Sequence, residues 1–258
     1  MVNDKGGYFS RKSLLKAAYC TQASIFIYFN CMKRGTALLI AAFAAFSMFS
    51  FGCDIPLGTP QERMFKAAKN DYTRNMKKLL DSGIDPNITD QAGWTPLMWA
   101  AAKDNVDTLT LLISRGGNID ARNGKGETAL HIAARWSRLE TVRYLISAGA
   151  RTEALDRLGW PPLMWAALQG RTEVVKTLAE GGANIEFKDS NGNTALMMAA
   201  NRGRAETLKE LLTLGANPYK INSDGQTAAG IAKTSGYPEL EAMLKNEPYV
   251  KPAGRKKK

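Results

Sequence analysis

"GWTPLMWAA", residues 93–101, returns 33 residues later as "GETALHIAA" (126–134), then as "GWPPLMWAA" (159–167), "GNTALMMAA" (192–200) and "GQTAAGIAK" (225–233). A second glycine keeps the same step at 83, 116, 149, 182 and 215. Two registers locked to one period mean a stack of like units, each burying an apolar face against the next. The residues say what one unit contains. Thr95 before Pro96 places a side-chain acceptor at a helix N-cap and a proline at the first helical position, where no N–H is needed. Leu97, Ala100 and Ala101 give that helix a small-residue face that a neighbour can approach closely. A second helix follows, opened by an acid at Asp107, Glu140, Glu173 or Glu206, where the dipole favours negative charge. Its buried stripe reads Leu109/Leu112, Val142/Leu145, Val175/Leu178 and Leu208/Leu211 at i, i+3 spacing. The second glycine then closes it as a left-handed C-cap.

The T-P-L-H-type run opening the first of two helices, at a period of 33, resembles the ankyrin repeat. The resemblance covers residues 61–246 as about six units and implies an all-α solenoid of helix-turn-helix units with β-turn loops. His131 occupies the family's histidine position, and Met98, Met164 and Met197 replace it elsewhere. Pro161 stands in for the capping threonine of the fourth unit. Arg74 replaces the acid in the first unit, and Ala229 and Gly230 depart from the pattern in the last, as capping units with one wet face should.

In such a stack the leucines and alanines hold neighbours together, so function falls to the loop tips and the exposed side of the first helices. By register, Trp99 and Trp165 fall where Ile132, Met198 and Ile231 fall and are expected in the core. Trp94 and Trp160 follow the turn glycine, where Glu127, Asn193 and Gln226 sit in other units, and are expected to be exposed. Trp136 matches Lys103, Gln169 and Arg202 late in the first helix and should also face outward. Three exposed tryptophans interleaved with Lys103, Lys125, Arg135, Arg157 and Arg202 have the composition of a protein-binding surface. The resemblance implies the same positions as partner contacts: Trp94, Lys103, Lys125, Glu127, Arg135, Trp136, Arg157, Trp160, Gln169, Asn193 and Arg202. The competing reading of Trp94 and Trp160 is that they lie flat on neighbouring loops and stiffen the stack.

Nothing in the sequence gathers a catalytic set, and no enzyme activity, cofactor or metal is expected. "GKGET" at 124–128 lacks the glycine a phosphate loop needs five residues before Gly124, where Ile119 stands, and its lysine is not followed by Ser or Thr. His131 is the single histidine and is expected to bond to local backbone. "NIT" at Asn87 spells a glycosylation sequon and nothing more.

The ends carry a second story. Of the net charge of +11, residues 1–52 hold +5 and "KPAGRKKK" (251–258) another +5, so the basicity belongs to the ends. The basic segment 247–258 reads as a disordered tail. Lys33 and Arg34 precede an uncharged apolar run from Gly35 to Cys53, with Ser50 and Gly52 before the cysteine. This resembles a bacterial lipoprotein signal peptide, which implies initiation at Met32, a misassigned extension over 1–31, cleavage of 32–52, a lipid on Cys53 and a tether over 53–60. Ser50 and Phe51 stand where the usual lipobox has leucine and a small residue. An uncleaved apolar anchor helix and plain secretory cleavage remain open, since 19 uncharged residues at about 1.5 Å each just span a bilayer core. Arg11, Lys12, Lys16, Lys33 and Arg34 all precede the run, which puts the repeats on the extracytoplasmic side in each case. Three cysteines, Cys20, Cys31 and Cys53, leave the repeats thiol-free. The expectation is a membrane-tethered protein-binding scaffold at the periplasm or cell surface, with no nucleic-acid partner. A secreted ankyrin effector acting on host proteins is the alternative, and an enzyme with an unrecognised site the last.

Overall fold

The computed structural model describes residues 58–246. These form twelve helices in six pairs: α1 (Pro60–Lys69), α2 (Thr73–Asp81), α3 (Pro96–Lys103), α4 (Val106–Ser114), α5 (Ala129–Arg135), α6 (Leu139–Ser147), α7 (Pro162–Gln169), α8 (Thr172–Glu180), α9 (Ala195–Asn201), α10 (Ala205–Thr213), α11 (Ala228–Thr234) and α12 (Pro238–Asn246). There is no strand among the described residues, and no helix among them is long and apolar enough to cross a membrane. The extension, the signal or anchor segment, Cys53 and the basic tail lie outside the described residues. The first helix begins at Pro60, one residue ahead of expectation, because Thr59 and Glu62 form a reciprocal capping box.

Each first helix packs on the next, α1 on α3 and so on to α11, and the second helices α2 to α10 pack in the same order. The core runs unbroken through all six pairs. Leu97, Leu130, Leu163 and Leu196 fill it from the first helices, and the i, i+3 pairs fill it from the second. The alanine pairs at 100/101, 133/134, 166/167 and 199/200 are fully buried, so the first helices meet almost backbone to backbone. Thr95, Thr194 and Thr227 accept an N–H three residues on, and Pro161 caps with no side-chain bond.

Side chains stitch the units at two further places. Arg138, Arg171 and Arg204, each at a second-helix N-cap, donate Nε to the carbonyls of Ala102, Arg135 and Leu168 at 2.9, 3.4 and 3.3 Å. These carbonyls lie at the C-terminal end of the preceding first helix, where a cation is favoured. On the far edge Asp120, Glu153 and Glu186 accept the backbone N–H of Arg151, Asn184 and Asn217 at 3.1, 2.8 and 2.8 Å. Asn87 belongs to this ladder, accepting from Asn118 and donating to Gly116, so the sequon asparagine is held in an inter-unit bond.

Candidate functional site

Between one pair and the next the chain makes a finger built on a 33-residue Asx position that precedes the turn glycine: Asp90, Asn123, Asp156, Asp189 and Asn222. In each finger Oδ1 of this residue accepts two backbone N–H groups, for Asp156 those of Leu158 and Trp160 at 2.8 and 3.0 Å. The finger closes with a backbone bond from the Asx N–H to the carbonyl four residues on, 3.1 Å for Asp156 to Trp160. Adjacent fingers touch through Gly124 N to Ala92 O, Arg157 N to Lys125 O and Ser223 N to Asn191 O, at 2.9, 3.0 and 2.9 Å. Gly93 shows why the turn residue is glycine: its φ is +76°, and a Cβ there would lie 2.8 Å from the Gly124 nitrogen.

The second oxygen or nitrogen of the Asx residue decides its identity. Asp90 and Asp156 accept the indole N–H of Trp99 and Trp165 at 3.0 and 2.7 Å, and Asp189 accepts that of Trp160 at 3.1 Å. In the other two fingers the same atom must donate: Asn123 Nδ2 to Glu127 at 2.8 Å and Asn222 Nδ2 to Asn193 at 3.0 Å. Aspartate therefore stands wherever an indole needs an acceptor, and asparagine wherever an oxygen needs a donor.

This places four of the tryptophans in two tilted pairs, 66 residues apart in sequence. Trp94 and Trp99 have ring centroids 4.5 Å apart, and Trp160 and Trp165 5.1 Å apart. Lys69 sits 3.7 Å over the Trp99 ring, and Arg135, in the same register two units later, 5.2 Å over Trp165. The expectation of a core Trp99 and Trp165 is thereby corrected. Ile132, Met198 and Ile231 are buried at that position, but an indole is too large to end there, and it extends past the helix contact to lean on the finger. Trp94 and Trp160 are half-buried instead of exposed, because each packs against the indole of Trp99 or Trp165. Trp160 is held by Asp189, whereas the Trp94 indole N–H has no acceptor among the described residues.

Glu127 is a second correction. It is 2 % exposed, with Oε2 on Asn123 and Oε1 paired to Arg135 Nη1 at 2.6 Å, because the unit's first helix brings Arg135 back over the finger. Arg135 is half-buried, and Asn193 is occupied by Asp189 and Asn222. Trp136 faces outward as expected, 43 % exposed. Lys103, Lys125, Arg157 and Arg202 are exposed and have no ion pair or hydrogen-bonded partner for their charged ends among the described residues, and Gln169 is half-buried. A groove of about 570 Å³ lies beside Trp99, lined by Glu62, Phe65, Lys66, Lys69, Asp90 and Lys103. No group of acids, histidine and cysteines suited to a metal occurs among the described residues.

His131 is the histidine of the third unit's cap. Its Nδ1 accepts the Thr128 N–H at 3.1 Å, which leaves the proton on Nε2, 3.0 Å from the Trp160 carbonyl of the next unit. Burial pushes its pKa below the ordinary value, while the Trp160 carbonyl, Asp156 and Glu127 oppose that shift in part. A second proton would have to enter at Nδ1, against the Thr128 N–H. The unfolded chain takes that proton at about pH 6.5 and the folded chain at a lower pH. Stability is therefore full above that value and falls as pH drops towards the folded pKa. His131→Met, the residue of the neighbouring units, should flatten the loss between pH 7 and 5 in urea titrations; an unchanged slope would exclude His131 as its source.

The family description "Ankyrin repeats (3 copies)" matches residues 64–156, 123–189 and 163–252, which together take in most of the chain. The chain belongs to the ankyrin-repeat family. Its ankyrin units are similar to those of the "Ankyrin repeat, SAM and basic leucine zipper domain-containing protein 1" of Oryctolagus cuniculus, 41% identical over 64 residues. The proteins of that name from Nomascus leucogenys and Ovis aries are 39% identical over 64 residues. Each match takes in 25% of this chain and 14% of the relative, so the likeness concerns ankyrin repeats alone. Ankyrin stacks are protein-interaction scaffolds and are generally non-enzymatic, which agrees with a site built from packed aromatics and free cations.

Proposed function

We propose that this ankyrin stack is a membrane-tethered, extracytoplasmic scaffold that binds a protein through the side carrying its tryptophans. One observation carries the binding reading: two tilted indole pairs, three of their four rings held by aspartates and all partly open to solvent, recur on one side of the stack. Presetting matters because a rigid aromatic surface loses little side-chain entropy when a partner arrives. Trp94→Ala and Trp160→Ala are each expected to weaken that partner by about 2 kcal/mol or more. The measurement is a titration with the partner recovered by cross-linking from native membranes. Unchanged affinity would reduce both residues to stiffeners of the fingers.

The tether rests on the basic and apolar run ending at Cys53, and the intact mass of the protein from native membranes tests it. A mass of residues 53–258 plus acyl chains is expected. A mass retaining Met1 or Met32 would mean an uncleaved anchor, and an unlipidated form released to the medium would favour the secreted effector.

A further inference from the structure

The tryptophan side of the stack also carries a charge pattern that the near-neutral net charge of the repeats conceals. Four carboxylates on this side are turned inward: Asp90, Asp156 and Asp189 onto indoles and finger N–H groups, Glu127 onto Arg135 and Asn123. The cations point the other way. Lys66, Lys103, Lys125, Arg157 and Arg202 are exposed, and none has an ion pair among the described residues. Lys66 and Lys103 line the groove beside Trp99, and Lys125 and Arg157 occupy adjacent fingertips joined by a 3.0 Å backbone bond. Two acids on this side are exposed: Glu62, which lines the same groove and accepts the Thr59 N–H of its own helix cap, and Asp224 in the last finger.

The spacing of the anchors adds a length. Packed helices lie about 8–10 Å apart, so the two indole pairs, two units apart, are separated by roughly 16–20 Å. An extended polypeptide advances about 3.3 Å per residue and covers that distance in about five or six residues. Between the pairs it would pass Lys103, Trp136 and the Lys125 and Arg157 fingertips, and the Trp94 indole N–H is open to a carbonyl or carboxylate. The chain's own outlying segments do not suit this surface, since residues 1–57 and 247–258 are both net basic. Two copies meeting through this side would set cations against cations.

We propose that this surface takes an acidic, extended polypeptide segment bearing two bulky apolar side chains about five or six residues apart, which rests on the reading of the tryptophan side as the partner site. Charge complementarity selects the acidic segment and steers its approach, and the indole pairs fix its register.

The test is a selection of random displayed peptides of about 16 residues, a length that spans both anchors with margin, against the full-length chain. Enriched peptides are then titrated by tryptophan fluorescence, which reports this side because all five tryptophans lie between positions 94 and 165. The expected pool carries excess Asp and Glu between two apolar residues at the stated spacing. Its affinity should fall about tenfold in Lys103→Glu/Lys125→Glu, and with added salt. Neutral or basic pools, pools without paired anchors, or no enrichment would overturn the proposal. So would displacement of the peptides by a single-stranded oligonucleotide or by phosphatidylglycerol vesicles. Non-acidic peptides that lose binding in Trp94→Ala or Trp160→Ala would overturn only the acidic chemistry. Peptides indifferent to both substitutions would overturn the site itself.

Discussion

Leu145→Ala should lower the stability of the stack by about 3–4 kcal/mol, the middle of the range for a fully buried leucine that leaves a cavity. Leu145 is 0 % exposed and lies on α6, which packs against α5 and, on its two sides, against α4 and α8. Lost methyl groups therefore leave neighbours on three helices without contacts, and none of them can close in without moving a whole unit. Leu244, almost as buried but in the last unit, gives the control. Its helix α12 packs chiefly on α11 and meets no further unit among the described residues, so the site can collapse and Leu244→Ala should cost about half as much. Urea unfolding followed by circular dichroism measures both. A repeat array is held by nearest-neighbour terms, so the central substitution should also weaken the coupling of the two halves and broaden the transition. Equal costs at the two sites would mean that the end unit is as constrained as the middle.

How far the sequence foretold this structure depends on where the determining contact lies. The helix starts at Pro96 and the third-unit cap at Thr128 are local: a threonine, a proline or a glycine acts within four residues, and a period of 33 repeats the message. The buried leucine pairs were legible for the same reason. The tryptophans were not, because register equates Trp99 with Ile132, and register is blind to side-chain volume. A signal was nevertheless present in the Asx position, where aspartate at 90 and 156 accompanies a tryptophan nine residues on, and asparagine at 123 and 222 accompanies isoleucine. Glu127 was misplaced because its partner Arg135 lies eight residues away and returns only once α5 is folded. The charge pattern was hidden by summation: acids and bases nearly cancel over the repeats, yet on the tryptophan side Asp90, Glu127, Asp156 and Asp189 face inward while Lys103, Lys125, Arg157 and Arg202 are exposed.

The second large effect follows from that Asx rule. Asp156→Ala is expected to cost about 3 kcal/mol, since it removes a charged acceptor from three donors at once, the N–H groups of Leu158 and Trp160 and the indole of Trp165. Asp156→Asn separates the two jobs. Its Oδ1 can still hold the finger, as Asn123 and Asn222 do, but an amide NH₂ would face the Trp165 indole N–H, donor against donor. The asparagine variant should therefore lose about half as much stability while releasing Trp165, visible as a red shift and increased quenching of tryptophan fluorescence. Trp160 would keep its bond to Asp189, so the disturbance should stop at one ring of the pair. That makes Asp156→Asn the sharper probe of function. If the preset indoles are what a partner meets, freeing one ring should weaken binding in a protein that remains folded, because the ring's orientation must then be bought at binding. If binding is unaffected while the fluorescence shifts, the aspartates serve only the stack, and the partner reads the cations and the exposed Trp136 instead.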